Sequence, residues 1–210
     1  MKKGNEKKYF IWLSSLKIKN SIKYKLIEKY KTLQVIYNLN IEELKNNKFL
    51  NQDDISKLIK KEDRCNIDRY IDYMNKNNIK LITYFDDEYP TKLKNIYDPP
   101  FVIYYKGNIN LLNKKSVAII GSRNCTNYGK VVAKHISSKI SNNEIYIVSG
   151  LAKGIDTFAH IGAISKKAKT IAVLGHGLDI IYPYENLELA GLIIKKEGLI
   201  ISEYIVRYKA

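Results

Sequence analysis

Arg123 and Lys153 each sit on a glycine loop at the end of an apolar run, and that pairing suggests the chemistry. The first loop, Gly121-Ser122-Arg123, follows Val117 to Ile120. The second, Ser149-Gly150-Leu151-Ala152-Lys153-Gly154-Ile155-Asp156, follows Ile145 to Val148. Backbone N–H groups at a strand end, with a positive helix terminus behind them, bind phosphate oxygens. A guanidinium adds a bidentate, charge-assisted contact, and an ammonium adds a point charge beside it. Two such loops on neighbouring strands suit a run of linked phosphates. Glycine at 121 would let a ligand approach the backbone. The plainer alternative is a strand-to-helix turn with a solvated arginine. Arginine is scarce here, four against 32 lysines, so its placement carries more information than that of any lysine.

A third loop, Leu174-Gly175-His176-Gly177-Leu178-Asp179, follows another apolar run. Behind it, Tyr182-Pro183-Tyr184-Glu185-Asn186 is either a surface that meets a base or a turn into a helix. The candidate phosphate-binding residues are therefore Gly121, Ser122, Arg123, Ser149, Gly150, Lys153, Gly154, Gly175 and Gly177. Asp156, in a first helical turn, reads as a cap or dipole partner, and His160 as a packed helix histidine. Gly121 and Gly129 do not make G-x-G-x-x-G, and no acid ends the second strand, which disfavours a dinucleotide. Gly129-Lys130 is followed by valine and lacks the G-x4-G-K-[ST] frame of an ATP loop. No nucleophile elbow, metal-ligand cluster or spaced carboxylate pair stands out. Neither catalysis nor a cofactor is expected.

Regular elements must hold these loops. Residues 117–120, 145–148, 170–174 and 199–202 are near-continuous apolar runs, as in strands covered on both faces. Helical patterns alternate with them, one starting near Tyr128 behind a Thr126 cap and another spanning about Asn186 to Lys196. This βα alternation predicts a parallel, Rossmann-like sheet with helices on both faces. Residues 79–84 and 101–105 read as further strands that extend one edge. Residues 7–75 read as four or five short helices. Tyr9, Phe10, Trp12, Leu13 and Leu16 form one apolar face, and Ile67, Tyr70, Ile71 and Met74 line a helix over Asp63 to Asn75. Asn40 with Glu43 and Asn51 with Asp54 form capping-box patterns. The expected division is a small helical domain over 1–78 and the α/β domain over 79–210.

A net charge of +15 makes a polyanion a candidate partner. Lysine enrichment alongside Asn, Ile and Tyr also fits a general compositional drift. Residues 1–80 hold 19 basic and 10 acidic side chains and residues 115–210 hold 13 and 7, while 81–114 hold four of each. No apolar run reaches the roughly 18 residues of a membrane span. The N-terminus, MKKGNEKKYFIWLSSLKIKN, lacks a long apolar region and a cleavage pattern. Cys65 and Cys125 have neither metal spacing nor a disulfide framework, which fits a reducing cytoplasm.

The motifs VAIIGSRNCTNYG, IVSGLAKGIDTFAHIGA, TIAVLGHGLDIIYPYEN and GLIISEY closely resemble the DprA/Smf family of DNA-processing proteins over roughly 79 to 204. The resemblance implies an extended Rossmann-like fold and a non-enzymatic role. That role is binding and protecting single-stranded DNA and loading the RecA recombinase during natural transformation. It also implies that Arg123 and Lys153 contact phosphates, that a homodimer forms, and that the N-terminal helices match a sterile-alpha-motif-like or helix-hairpin-helix-like domain. Ser15 to Ser21 lacks the glycine turn of a helix-hairpin-helix. Family members continue past S-E-Y with an F-x-x-R-N-R segment, further strands and much of the dimer and RecA surfaces. The expectation is thus a fold without its C-terminal part. Two alternatives are a nucleotide-binding, phosphoribohydrolase-like protein, whose P-G-G-x-G-T-x-x-E motif is not found, and a non-functional truncated remnant.

Overall fold

The computed structural model describes residues 3–60, 66–141, 145–166 and 168–206. The chain divides into two compact units, one of residues 1–78 with 82–102, the other of 79–81 with 103–210.

In the first unit, α1 (Lys3–Ser15), α2 (Asn20–Tyr30), α3 (Leu33–Asn38), α4 (Ile41–Lys45), α5 (Gln52–Ile59) and α6 (Ile67–Lys76) follow one another. The described residues thus hold six helices up to Lys76, where four or five were expected. The extra ones are short, as α3 and α4 span only six and five residues. Both capping boxes form: Asn40 accepts from the Glu43 N–H, Asn51 accepts from the Asp54 N–H, and each acid reaches back to its partner's N–H. They start helices too short to persist on propensity alone. The start of the expected 63–75 helix and Cys65 lie outside the described residues.

Trp12, Leu13, Leu26, Ile36, Leu44 and Leu58 are fully buried in this unit. Tyr37 meets Trp12 and Tyr9 edge-on at 4.9 and 5.2 Å between ring centroids. Residues 82–102, including α7 (Thr91–Lys94), join the helices through rings. Phe101 lies 5.6 Å from Phe10 and 5.8 Å from Tyr24, and the buried Lys23 ammonium lies 5.7 Å from the Phe101 ring. Aromatic burial explains why this stretch belongs with the helices.

The sheet runs in the order β1-β2-β6-β5-β4-β3, with β1 at Lys80–Thr83, β2 at Val102–Gly107, β3 at Ser116–Ala118, β4 at Tyr146–Ser149, β5 at Thr170–Leu174 and β6 at Leu199–Ser202. The last four are parallel, and α8 (Asn127–Ser141), α9 (Ile155–Ser165) and α10 (Leu187–Lys195) bridge them in turn. β2 is antiparallel to β6, so the sheet is mixed. Those two strands are neighbours although β3 to α10 lie between them in the chain. Gly107, at φ +98°, and Asn108, whose N–H donates to the Gly198 carbonyl at 3.0 Å, bring them together.

Helices α8 and α9 pack unusually close. A Cβ on Gly162 would stand 2.4 Å from the Lys134 carbonyl oxygen, and the buried Ser137 hydroxyl donates to the Ala159 carbonyl. Ile147, Ala159 and Ala163 form the core beneath, flanked by Ile119 and Ile140. β3 contrasts with this, since all three of its residues are exposed.

His160 is fully buried on α9. The Thr170 hydroxyl donates to the Ile147 carbonyl at 2.7 Å, which leaves its oxygen to accept from His160 Nδ1 at 2.9 Å. The proton therefore sits on Nδ1, and Nε2 has no hydrogen-bond partner. Burial drives the pKa from 6.5 down to about 4, opposed in part by the Ser149 backbone. The unfolded chain thus takes up a proton that the folded one refuses between those values. The resulting stability is complete above pH 6.5 and is lost as pH falls toward 4. Between pH 7 and 5 the loss is about 2 kcal/mol. Urea titrations at the two pH values should show it, and His160→Asn should remove that share of the difference.

Candidate nucleic-acid interface

The arginine loop is held from both sides. Ser149 Oγ donates to the Ile119 carbonyl at 2.7 Å, joining the ends of β3 and β4. The Ile155 N–H donates to the Ser122 carbonyl at 3.2 Å, joining the loop to the start of α9. The Asn124 N–H donates to Ser122 Oγ at 3.1 Å. Thr126 Oγ1 accepts from the Gly129 N–H at 3.1 Å and opens α8, as expected of a cap.

The lysine loop is equally determined. Leu151 is fully buried in the left-handed region at φ +56°, and Gly154 turns the chain at φ +90°, ψ −130°. Asp156 Oδ2 accepts from the Gly150 N–H at 3.1 Å, so this acid closes the loop from the first turn of α9. Asn186, buried just before α10, donates through Nδ2 to the Leu151 carbonyl and to Thr157 Oγ1, both at 2.9 Å. Thr157 Oγ1 donates in turn to the Ala152 carbonyl at 2.8 Å.

Most of the loop glycines face protein atoms rather than open space. A Cβ on Gly121 would meet Ile155 Cγ1 at 2.7 Å, and one on Gly150 would meet Asp156 Oδ2 at 2.7 Å. One on Gly154 would stand 2.3 Å from the Ser122 carbonyl oxygen and 2.6 Å from that of Arg123. Glycine at 154 lets the two loops touch, and Gly121, where ligand approach was the expected reason, instead makes room for Ile155. Gly177 sits against the Ile205 carbonyl, and only open space lies within 4 Å of a Cβ on Gly175.

Arg123 and Lys153 are both exposed and line one cleft of about 440 Å³ with Asn124, Cys125, Lys130, Gly154, Thr157, Phe158, Pro183, Glu185 and Asn186. Three cations face one acid, Glu185. Of the nine candidates, Arg123, Lys153 and Gly154 line the cleft. Gly121, Ser122, Ser149 and Gly150 lie behind them in the loops, and Gly175 and Gly177 belong to the third loop. That loop is anchored by Ser202 Oγ, which donates to the His176 carbonyl at 2.7 Å.

Lys130 and Phe158 are the additions that sequence reasoning missed. The Lys130 ammonium bonds Asn127 Oδ1 at 3.2 Å and lies 5.9 Å from the Phe158 ring. Lys130 lies four residues past the Thr126 cap and Phe158 four past Gly154, so both fall one turn into a helix whose N-terminus faces the cleft. That spacing was the available signal.

Fold and site together define a Rossmann-like α/β protein whose strand-end loops gather cations at one cleft. Residues 80–210 match the family of DNA recombination-mediator protein A, and the chain belongs to that family. It is similar to DNA processing protein DprA of Streptococcus pneumoniae, 49% identical over 121 residues that cover 57% of this chain and 42% of the relative. It is also similar to DprA of Bacillus subtilis, 43% identical over 60% of this chain and 42% of the relative. The chain thus spans less than half the length of either. The crystal structure of the S. pneumoniae protein superposes on all of this chain with a TM-score of 0.76 at 31% identity, using 70% of the solved chain. DNA processing protein A of Helicobacter pylori, described by its single-stranded DNA binding mode, covers 62% of this chain and 58% of its own at a TM-score of 0.53 and 32% identity. Among the described residues, no helix is long and apolar enough to cross a membrane.

Proposed function

We propose that this chain binds single-stranded DNA without sequence preference and protects it, acting as a mediator and not as an enzyme. The observation that carries this reading is the meeting of Arg123 and Lys153, from two separate strand ends, in one cleft with Lys130. Three cations at one cleft fit consecutive phosphates better than a single small anion, and single-strand binders combine such grooves with ring surfaces. The H. pylori relative, described by the same ligand, supports the assignment. Gly121, Ser122, Ser149, Gly150 and Gly154 shape the two loops, while Gly175 and Gly177 extend the surface along the sheet. The helical unit, residues 1–78 with 82–102, and the α/β unit, residues 79–81 with 103–210, act as separate domains in this reading. RecA loading and homodimer formation, in the cytoplasm, complete it.

The test is the affinity of oligo-dT across a salt series. Arg123→Ala and Lys153→Ala should each weaken binding and flatten the slope of log K against log salt by about 0.7, the value for one single-strand phosphate contact. Full affinity and an unchanged slope in both variants would remove these residues from the site.

A further inference from the structure

The three cations of the cleft account for phosphates only. A single strand also carries a base on every sugar, and a base left in water contributes nothing to affinity. Pro183, Glu185 and Asn186 line the same cleft as Arg123 and Lys153. Tyr182 and Tyr184 flank Pro183 in the chain, just outside the cleft's lining, and they are 65% and 78% exposed, whereas Pro183 itself is buried. Exposure alone means little in a chain with 17 tyrosines, since Tyr97, far along the sequence in the other unit, is also fully exposed. Attachment separates these two from the rest. Residues Tyr184–Asn186 form a 3-10 turn, closed by the Asn186 N–H donating to the Pro183 carbonyl at 3.0 Å. Asn186 then bonds the Leu151 carbonyl and Thr157 on the loop that carries Lys153. The rings are thus carried by backbone fixed to the same loop as one of the cations.

We propose that Tyr182 and Tyr184 are base-stacking residues of the cleft. The bound strand is then held by base and phosphate together and is distinguished from a plain polyanion. Every base has a π face, so stacking adds affinity without adding sequence preference. Planar, two-torsion side chains also lose little conformational freedom when a base settles on them. The assignment rests on the single-strand reading above.

The experiment compares two ligands of equal length and charge, oligo-dT and an abasic oligonucleotide, on the 210-residue chain and on Tyr182→Ala/Tyr184→Ala. The double variant should lose about tenfold or more on oligo-dT. It should lose nothing on the abasic strand, and its salt slope should stay unchanged. Tyr182→Phe/Tyr184→Phe, which keeps the ring faces, should restore oligo-dT binding. Equal losses on both ligands, or no loss on oligo-dT, would overturn the stacking role while leaving the phosphate cleft standing. Failure of the unaltered chain to bind either ligand would overturn the single-strand reading and this one with it.

Discussion

Gly154→Ala is expected to destabilise the chain by about 2–4 kcal/mol and to abolish oligo-dT binding at moderate salt. Two costs combine. The backbone at φ +90°, ψ −130° is open to glycine and strained for any residue with a Cβ. The new methyl would also stand 2.3 and 2.6 Å from the carbonyl oxygens of Ser122 and Arg123. Backbone is the obstacle, so no side-chain rotation relieves the overlap. The arginine loop must move away, which breaks the bond from the Ile155 N–H to Ser122 and separates Arg123 from Lys153. Urea denaturation reads the first effect and fluorescence anisotropy of labelled oligo-dT the second. Gly191→Ala is the matched control. It lies exposed within α10 with nothing within 4 Å of a Cβ. It should raise stability by up to about 1 kcal/mol and leave binding alone. A Gly154→Ala protein with native stability would show that the loops do not touch as described.

Asn186→Ala should cost about 2–4 kcal/mol and weaken oligo-dT binding by roughly tenfold, although the amide need not touch DNA. The side chain is 4% exposed. Its two N–H groups satisfy the Leu151 carbonyl and Thr157 Oγ1, and the Thr157 hydroxyl satisfies Ala152. Truncation leaves the Leu151 carbonyl without this donor and opens a small void. Leu151 is held at φ +56°, a conformation that leucine keeps only when its surroundings enforce it. Relaxation at Leu151 would move Lys153, two residues on. Asn186→Asp retains the volume but loses both donors and should destabilise as well. If Asn186→Asp matched the parent in thermal unfolding, the amide donors would not be what holds the loop.

Patterning within single elements was readable. The 170–174 and 199–202 strands are observed at those bounds, and the Thr126 cap and both capping boxes form as their spacing implies. These depend on residues within a few positions of each other. The role of Gly121 was not readable, because its reason is Ile155, 34 residues on, beyond a helix and a strand. The same holds for Asn186, which read as part of a turn but serves a loop some 30 residues earlier. The direction of β2 was hidden because alternation and composition do not encode strand orientation. Residues 82–102 looked like part of the α/β region by their β-branched runs. Their rings, Tyr84, Phe85 and Phe101, decided their partners instead.

The exposed β3 makes the two halves of the site unequal in how firmly the sheet beneath them is packed. Lys153 stands on a loop seated on buried Leu151 and β4, whose Ile147 is fully buried. Arg123 stands five residues beyond a three-residue edge strand with every side chain exposed. Few buried apolar contacts mean a low free energy of local opening, so the β3 amides are expected to be less protected from hydrogen exchange than those of β4. A strand bridging both cations would then tie the exposed edge to the buried centre of the sheet. Part of the binding free energy would go into ordering β3, and its amides would record occupancy by slower hydrogen exchange.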